Sequence, residues 1–351
     1  MAGKVLVTGG EGFIGSHVVD LLVEAGRDVR VVDCLHPAAH SGRPGYLNPD
    51  AEYVTADLED RSAFEAVLDG VEAVCHQAAM VGLGKDFGDA EDYVAANCLG
   101  TARLLSAMSR RDYRGPLVLA SSMVVYGEGG YSCPEHGPVR PPARRPEDLQ
   151  GGRFEPRCPD CGAELEPFPI GEETPPDPRS VYAATKLHQE HLCGLFAREC
   201  DGVRYTALRY HNVYGPRMPR DTPYAGVASI FRSSLAEGRP PAVFEDGGQI
   251  RDFVHVRDVA RANLLALDAG PDACGTYNVA SGRPRTIIEM ASLLAAAAGT
   301  GAPSPQVTGQ FRLGDVRHVF ADAGRARDRL GFTAEIGLEA GMSEFATAEL
   351  R

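Results

Sequence analysis

The chain has 351 residues, 44% hydrophobic and 24% charged, with a formal net charge of −13. That length accommodates one large domain or two, the acidic balance excludes non-specific nucleic-acid binding, and the lack of an apolar run of ~18 residues argues against a transmembrane helix. The N-terminal "MAGKVLVTGGEGFIGSH" runs from a short apolar stretch into glycines without a signal-peptide cleavage pattern, so the expected location is the cytoplasm, where the nine cysteines are reduced.

In chain order, "VLV" reads as a buried parallel strand, followed by a glycine-rich turn and a helix starting near Phe13. Gly10, Gly12 and Gly15 form the spacing GxGxxG, and Gly9, Gly12 and Gly15 form GxxGxxG. Glycines at these places permit a tight turn and close approach of backbone to a pyrophosphate, which the N–H groups around Phe13 and Ile14 then meet at the helix N-terminus. Asp33 ends the next strand, "VRVVD". A carboxylate there accepts hydrogen bonds from ribose hydroxyls and repels a 2′-phosphate, so the expected cofactor is NAD rather than NADP. A third strand in "EYVTADLED" puts Asp57 and Leu58 beside the adenine. A fourth, "EAVCHQAAM", ends in Ala78, Ala79 and Met80, and a fifth, "PLVLASSMVVYG", carries Ser122 and Met123. Strands alternating with helices predict a doubly wound parallel sheet, with ligands at the carboxyl ends of the strands.

Between the fifth strand and the next helix lies a stretch rich in Pro, Gly, Arg and Glu, too poor in apolar residues to build its own core. It holds "CPEHG" (Cys133 and His136) and "CPDCG" (Cys158 and Cys161), with 21 residues between His136 and Cys158. A Cys₃His set in two knuckles, each closed by Gly, predicts structural zinc with no open position for catalysis. Anchored at both ends by candidate catalytic segments, the insert is expected to hang over the mouth of the ligand pocket as a lid.

"SVYAATKLHQEH" then places Tyr182 and Lys186 at i and i+4 on one helical face. Lysine occurs only at 4, 85 and 186 in this arginine-rich chain. An ammonium near a phenol lowers its pKa toward working pH and makes it a general base, and Ser122 is available to bind the same hydroxyl. Further on, "GVASIFRSSLAEG" reads as a helix stopped by Gly238, "AVFEDGGQIRDFVHV" as strand, turn and strand, and "IIEMASLLAAAAG" as a packing helix. Phe244 and Tyr224 are candidates for stacking on a base.

The motifs "TGGEGFIGSH", "HQAA", "NCLGTARLL", "SSMVVYG", "YAATK", "RYHNVYGP", "RDFVHVRDVARA" and "YNVASG" resemble those of the extended short-chain dehydrogenase/reductase family, specifically its nucleotide-sugar epimerases and dehydratases, over nearly the whole chain outside residues 129–175. The resemblance implies a Ser122/Tyr182/Lys186 triad, tightly held NAD, and a UDP- or dTDP-linked sugar as substrate. It also implies support of the site by Asn97, substrate contact by Asn212, and diphosphate binding by Arg251 and Arg317. Family dehydratases and decarboxylases carry acids where this chain has Met123 and Val124, neither of which transfers a proton, so epimerisation at C4 is expected; the alternatives are a 4-ketosugar reductase, less favoured a nucleotide-sugar decarboxylase or dehydratase, and, from another class, a non-catalytic NAD-binding sensor or partner-binding protein. The insert resembles those of epimerases acting on deoxysugar nucleotides. The expected domains are a Rossmann domain (1–128 and 177–205), the insert (129–176), and a smaller, mostly helical substrate lobe (206–351) with some segments returning to the first domain. A homodimer through helices near 91–110 and 180–200 is implied as well.

Overall fold

Seven apolar runs form one parallel sheet in the structure, a computed structural model that describes residues 3–350 apart from 38, 39, 41, 58–60, 83–86 and 221–225. Leu58 and Tyr224 lie outside the described residues. The strands are β1 (Lys4–Thr8), β2 (Val29–Asp33), β3 (Glu52–Thr55), β4 (Val71–His76), β5 (Pro116–Ser122), β6 (Arg204–Tyr210) and β7 (Gly275–Val279), in the spatial order β7-β6-β5-β4-β1-β2-β3. All six pairings are parallel. The order reverses at β1, which lies between β2 and β4, so a crevice opens beyond the carboxyl ends of β1 and β4.

Four helices matter most for the site: α1 (Phe13–Glu24), α2 (Gly100–Arg110), α3 (Val181–Glu199) and α4 (Val256–Asp268). Strand alternation divides the core between two faces. Val5, Val7 and Val31 point to one face and pack with Val18, Val19 and Leu22 of α1 and Val259 and Ala262 of α4. Leu6, Val32 and Val74 point to the other and meet Leu104 and Met108 of α2 and Cys193 and Phe196 of α3. Coverage of both faces accounts for continuous apolar runs where a half-exposed strand would alternate.

β6 begins at Arg204, so the expected limit at 205 falls inside a main-sheet strand, and β7 also returns to this sheet. The second lobe has its own core, in which Met218, Phe231, Met290, Leu294 and Phe345 pack among the helices Val227–Ala236, Ile287–Ala297 and Leu338–Thr347. The Ile287 helix buries Ile287, Met290, Ala291 and Leu294 at helical spacing and starts with a capping box between Thr286 and Glu289.

The strand, turn and strand expected over 242–256 are present as Ala242–Val243, a turn, and Ile250–Arg251 with Phe253–His255, and the strands pair with distant partners. Ala242–Val243 pairs with Gln306–Val307. Ile250–Arg251 lies between Arg285–Thr286, antiparallel, and His318–Val319, parallel. The insert forms a three-stranded antiparallel sheet (Gly137–Val139, Gly130–Cys133, Glu166–Phe168) and a short helix, Pro146–Gln150. Its buried apolar cluster is only Tyr131, Cys133, Cys158 and Leu165.

Candidate active site

At the tip of β1 the glycines are required sterically. Gly9 has φ +67°, and a Cβ there would lie 2.7 Å from the backbone N of Ala78 at the end of β4. A Cβ on Gly15 would lie 2.2 Å from Gly9 O and 2.9 Å from Gly10 Cα, backbone atoms that cannot yield. Gly12 is the N-cap of α1 and no side chain caps the helix, so the first-turn N–H groups from Phe13 to Gly15 remain for an anion. Asp33, nearly buried, accepts from Glu11 N at 3.1 Å and Leu35 N at 3.0 Å, one bond to each oxygen. Each oxygen keeps a lone pair for a ribose hydroxyl. Ala78, Ala79 and Met80 follow β4 and are partly buried, whereas Asp57 is exposed. These residues fit a dinucleotide: a cradle that side chains would fill, an uncapped helix end, and an acid opposite.

Ser122 ends β5, and the chain then forms a 3₁₀ turn, Met123–Tyr126, in place of further strand. Ser180 caps α3, its side chain accepting from Ala183 N at 3.1 Å. This start puts Tyr182 in the first turn of α3, beside Ser122. Burial pushes the Tyr182 phenol well above its ordinary range, while the neighbouring Ser122 works the other way. Lys186 lies one turn on, buried, donating to Ala120 O at 2.8 Å with Nζ 6.0 Å from the Tyr182 ring centre. Desolvation lowers the Lys186 ammonium to about 7. The expected lowering of the phenol by Lys186 is therefore outweighed by burial in the protein alone.

A buried polar chain supports these groups. Asn97 lies in a π-turn, Val94–Leu99, just before α2, a geometry frequent at functional sites. Its side chain accepts from Met80 N at 2.7 Å and donates to Met80 O and Thr185 Oγ1, both at 2.9 Å. Thr101 Oγ1 donates to Asn97 O at 2.6 Å, so it accepts from His76 Nε2 at 2.9 Å and from Gln189 at 2.7 Å. His76 Nδ1 is then the acceptor for Thr8 Oγ1 at 2.7 Å, and Thr8 Oγ1 accepts from Ala78 N at 3.1 Å. One neutral tautomer satisfies both ring nitrogens and the two threonine hydroxyls, and burial accordingly lowers His76 to about 3. Thr8, His76, Thr101, Thr185 and Gln189 were not singled out from sequence, because nothing in their spacing joins β1, β4, α2 and α3.

The two arginines read as anion ligands have different surroundings. Arg251 donates through Nη1 to Ile250 O and Arg317 O, both at 2.9 Å, and through Nη2 to Val316 O at 2.7 Å. It has no carboxylate in ion-pair reach among the described residues, and desolvation lowers its pKa. Arg317 differs from expectation. Fully buried, it directs all five N–H groups at Glu155, Glu245 and Asp246 at 2.5–2.9 Å. It has no donor left for a diphosphate and acts as the centre of an ion cluster. Arg285 faces Arg251 across the antiparallel pair and likewise has no carboxylate partner among the described residues. Asn212 has a buried, unpartnered Oδ1. Phe244 sits beneath Arg312, whose guanidinium is 5.3 Å from its ring centre.

In the insert, Cys133, His136, Cys158 and Cys161 bring their ligand atoms within 4.8 Å of one another. The Cys133 and Cys161 sulfurs are 3.6 Å apart, and His136 Nδ1 is 3.5 Å from the sulfurs of Cys133 and Cys158. A disulfide needs about 2.05 Å, whereas a tetrahedron of ~2.3 Å metal–sulfur bonds has edges of about 3.8 Å. Gly137 and Gly162, after each knuckle, have φ +69° and +74°, conformations that glycine adopts at little cost. The donor set fits zinc. Ion pairs from Arg144 to Glu245 and from Glu155 to Arg317 fix the insert to the second lobe.

With this geometry established, similarity to known proteins is specific. The profile of the NAD dependent epimerase/dehydratase family matches residues 5–147 and 161–280, and the chain belongs to that family. It is 36% identical to the dTDP-L-rhamnose 4-epimerase of Burkholderia thailandensis, an alignment covering 98% of this chain and 94% of the relative. It is 32% identical to a putative UDP-glucose 4-epimerase of Methanocaldococcus jannaschii, covering 96% and 95%. Among solved structures, the UDP-glucose 4-epimerase of Thermotoga maritima with UDP-glucose superposes with a TM-score of 0.79 at 32% identity, covering 98% of this chain and 97% of that one.

Proposed function

We propose that the protein is an NAD-dependent nucleotide-sugar 4-epimerase with Ser122, Tyr182 and Lys186 as its catalytic residues. The observation that carries the reading is the placement of Tyr182 beside Ser122 at the carboxyl end of β5, with Lys186 one helical turn behind and no acid at Met123 or Val124. Bound along the glycine turn, with Asp33 on the ribose, NAD supplies reversible hydride acceptance at the sugar ring. Ser122 holds the 4-oxygen and Tyr182 removes its proton. The 4-keto sugar turns over in the pocket, and Tyr182 returns the proton to the oxygen on the opposite configuration. Lys186 holds the phenol's electrostatics, and Asn97 holds the Met80 segment against α3. Met80 and Met123 give the sugar an apolar wall, while Asn212 and Arg251, with Arg285 opposite, bind the nucleoside diphosphate. Two guanidinium groups without carboxylate partners suit a pyrophosphate.

The relatives' names support UDP- or dTDP-linked sugars. The Cys₃His knuckles hold a structural zinc, which atomic absorption checks as one ion per chain, lost in Cys158→Ser. Zinc thiolates accord with the reducing cytoplasm. Exposed Val94, Leu99 and Leu195 form an apolar face on the helices expected to pair two copies. The experiment is incubation of the protein, without added cofactor, with UDP-, dTDP- and GDP-sugars, followed by NMR of the ring protons. Inverted coupling at C4 is expected for one sugar. Conversion only of a keto sugar with added reduced cofactor would replace the epimerase by a reductase.

A further inference from the structure

Arg251 has an unusual environment for a buried cation. Three of its N–H groups are bound by backbone carbonyls of Ile250, Val316 and Arg317. The Nε–H and the second N–H of Nη2 have no partner among the described residues. These two N–H groups are the edge of the guanidinium left for a ligand oxygen. The edge is aimed only as well as the carbonyls of 316 and 317 are placed, and that segment has no helix to hold it.

Its backbone is held by the Glu128 carboxylate, which accepts from Arg317 N at 2.5 Å and His318 N at 3.3 Å, by Tyr131 Oη on His318 N at 3.0 Å, and by pairing with Ile250–Arg251; its side chains are held from the insert. Glu155 Oε1 accepts from Arg317 Nε at 2.9 Å and Nη2 at 2.5 Å. Glu155 Oε2 is 2.7 Å from His318 Nε2. His318 Nδ1 in turn accepts from Ile250 N at 3.1 Å, so the ring is a neutral bridge that donates to Glu155. One carboxylate thus fixes the side chains of both residues that follow Val316 and, through His318, the backbone beside Arg251. Glu155 lies three residues before Cys158 in the second knuckle and inside the stretch 148–160 that the family profile passes over.

We infer that Glu155 is a positioning residue through which the Cys/His insert sets the Arg251 edge, and with it the affinity of the enzyme for the nucleoside diphosphate. This rests on the reading of Arg251 as a diphosphate ligand. Simple electrostatics gives the opposite sign: removing a carboxylate near an anion site tightens anion binding, whereas loss of positioning weakens it.

The test measures binding of UDP and of dTDP alone by calorimetry, with kcat and KM on the sugar substrate, for Glu155→Gln, Arg251→Ala and the double variant, each checked for bound NAD and zinc. Glu155→Gln is expected to weaken the nucleotide that the wild type binds by about tenfold, raising KM while kcat stays within about twofold. Because Glu155 acts through Arg251, it should add nothing in the Arg251→Ala background. Glu155→Asp, which keeps the charge but retracts the carboxylate, gives an intermediate loss and covers the case of a poorly folding Gln variant. Unchanged or tighter binding in Glu155→Gln, or full additivity in the double variant, overturns the inference while leaving Arg251 in place. Unchanged binding in Arg251→Ala overturns the diphosphate assignment itself, and this inference with it.

Discussion

Replacement of Arg317 by Met tests whether this residue is a structural centre or a substrate ligand. Methionine keeps the length of the side chain and removes the charge. Breaking a buried ion pair typically costs about 3–5 kcal/mol, because partners remain buried without compensation. Here the partners are partly provided for. Glu245 keeps its two bonds to Arg144 at 2.8 and 2.9 Å, Glu155 keeps His318 at 2.7 Å, and the Asp246 side chain is 52% exposed and turns to water. The loss should therefore fall at the lower end, about 3 kcal/mol. At roughly 2 °C per kcal/mol for a chain of this size, the thermal midpoint should drop by about 6 °C. Differential scanning fluorimetry and urea titration of the NAD-loaded protein measure this. An unchanged midpoint would refute the structural assignment, and weakened nucleotide binding at unchanged stability would return Arg317 to the diphosphate.

Tyr182→Phe should lower kcat by at least about a hundredfold while the purified protein retains NAD, measured by its absorbance after denaturation. Gly15→Ala places a Cβ 2.2 Å from Gly9 O and should yield protein without bound cofactor; normal NAD content would contradict the cradle. His76 is lowered to about 3, and His17, His211 and His255 to about 4, all chiefly by burial, from an ordinary 6.5. The unfolded chain binds more protons between these values, so the stabilisation is present above pH 6.5 and is lost as pH falls toward 4. Urea midpoints should fall steadily from pH 7 to 5, and a flat profile would show that these rings are not held neutral.

Features written in short range were legible in the sequence. The glycine turn, Asp33 at the end of its strand, the Tyr182–Lys186 spacing and the two knuckles each depend on residues within a few positions of one another, where backbone geometry dictates the outcome. Features set by distant partners were not. Arg317 looks like any arginine after an aspartate, and its role depends on Glu155, Glu245 and Asp246, which lie 162, 72 and 71 residues away. Residues 250–251 are legible as a strand after the turn at Gly247 and Gly248, but nothing local shows that their partners are at 285–286 and 318–319. The attachment of the insert was not legible for the same reason: its composition shows that it lacks a core, but not which surface it leans on.

The central claim is that the 4-hydrogen of the sugar leaves and returns within the enzyme as hydride while Tyr182 handles only the hydroxyl proton. The most direct measurement uses the accepted nucleotide sugar with deuterium at C4, in ordinary water without added cofactor, with the isotope in the C4 epimer followed by mass spectrometry and NMR. The account predicts epimerised product with deuterium retained at C4 and none appearing in solvent. Loss of the label to water would mean that C4 is inverted by proton abstraction, and the assignment of Tyr182, Ser122 and NAD to this chemistry would fail.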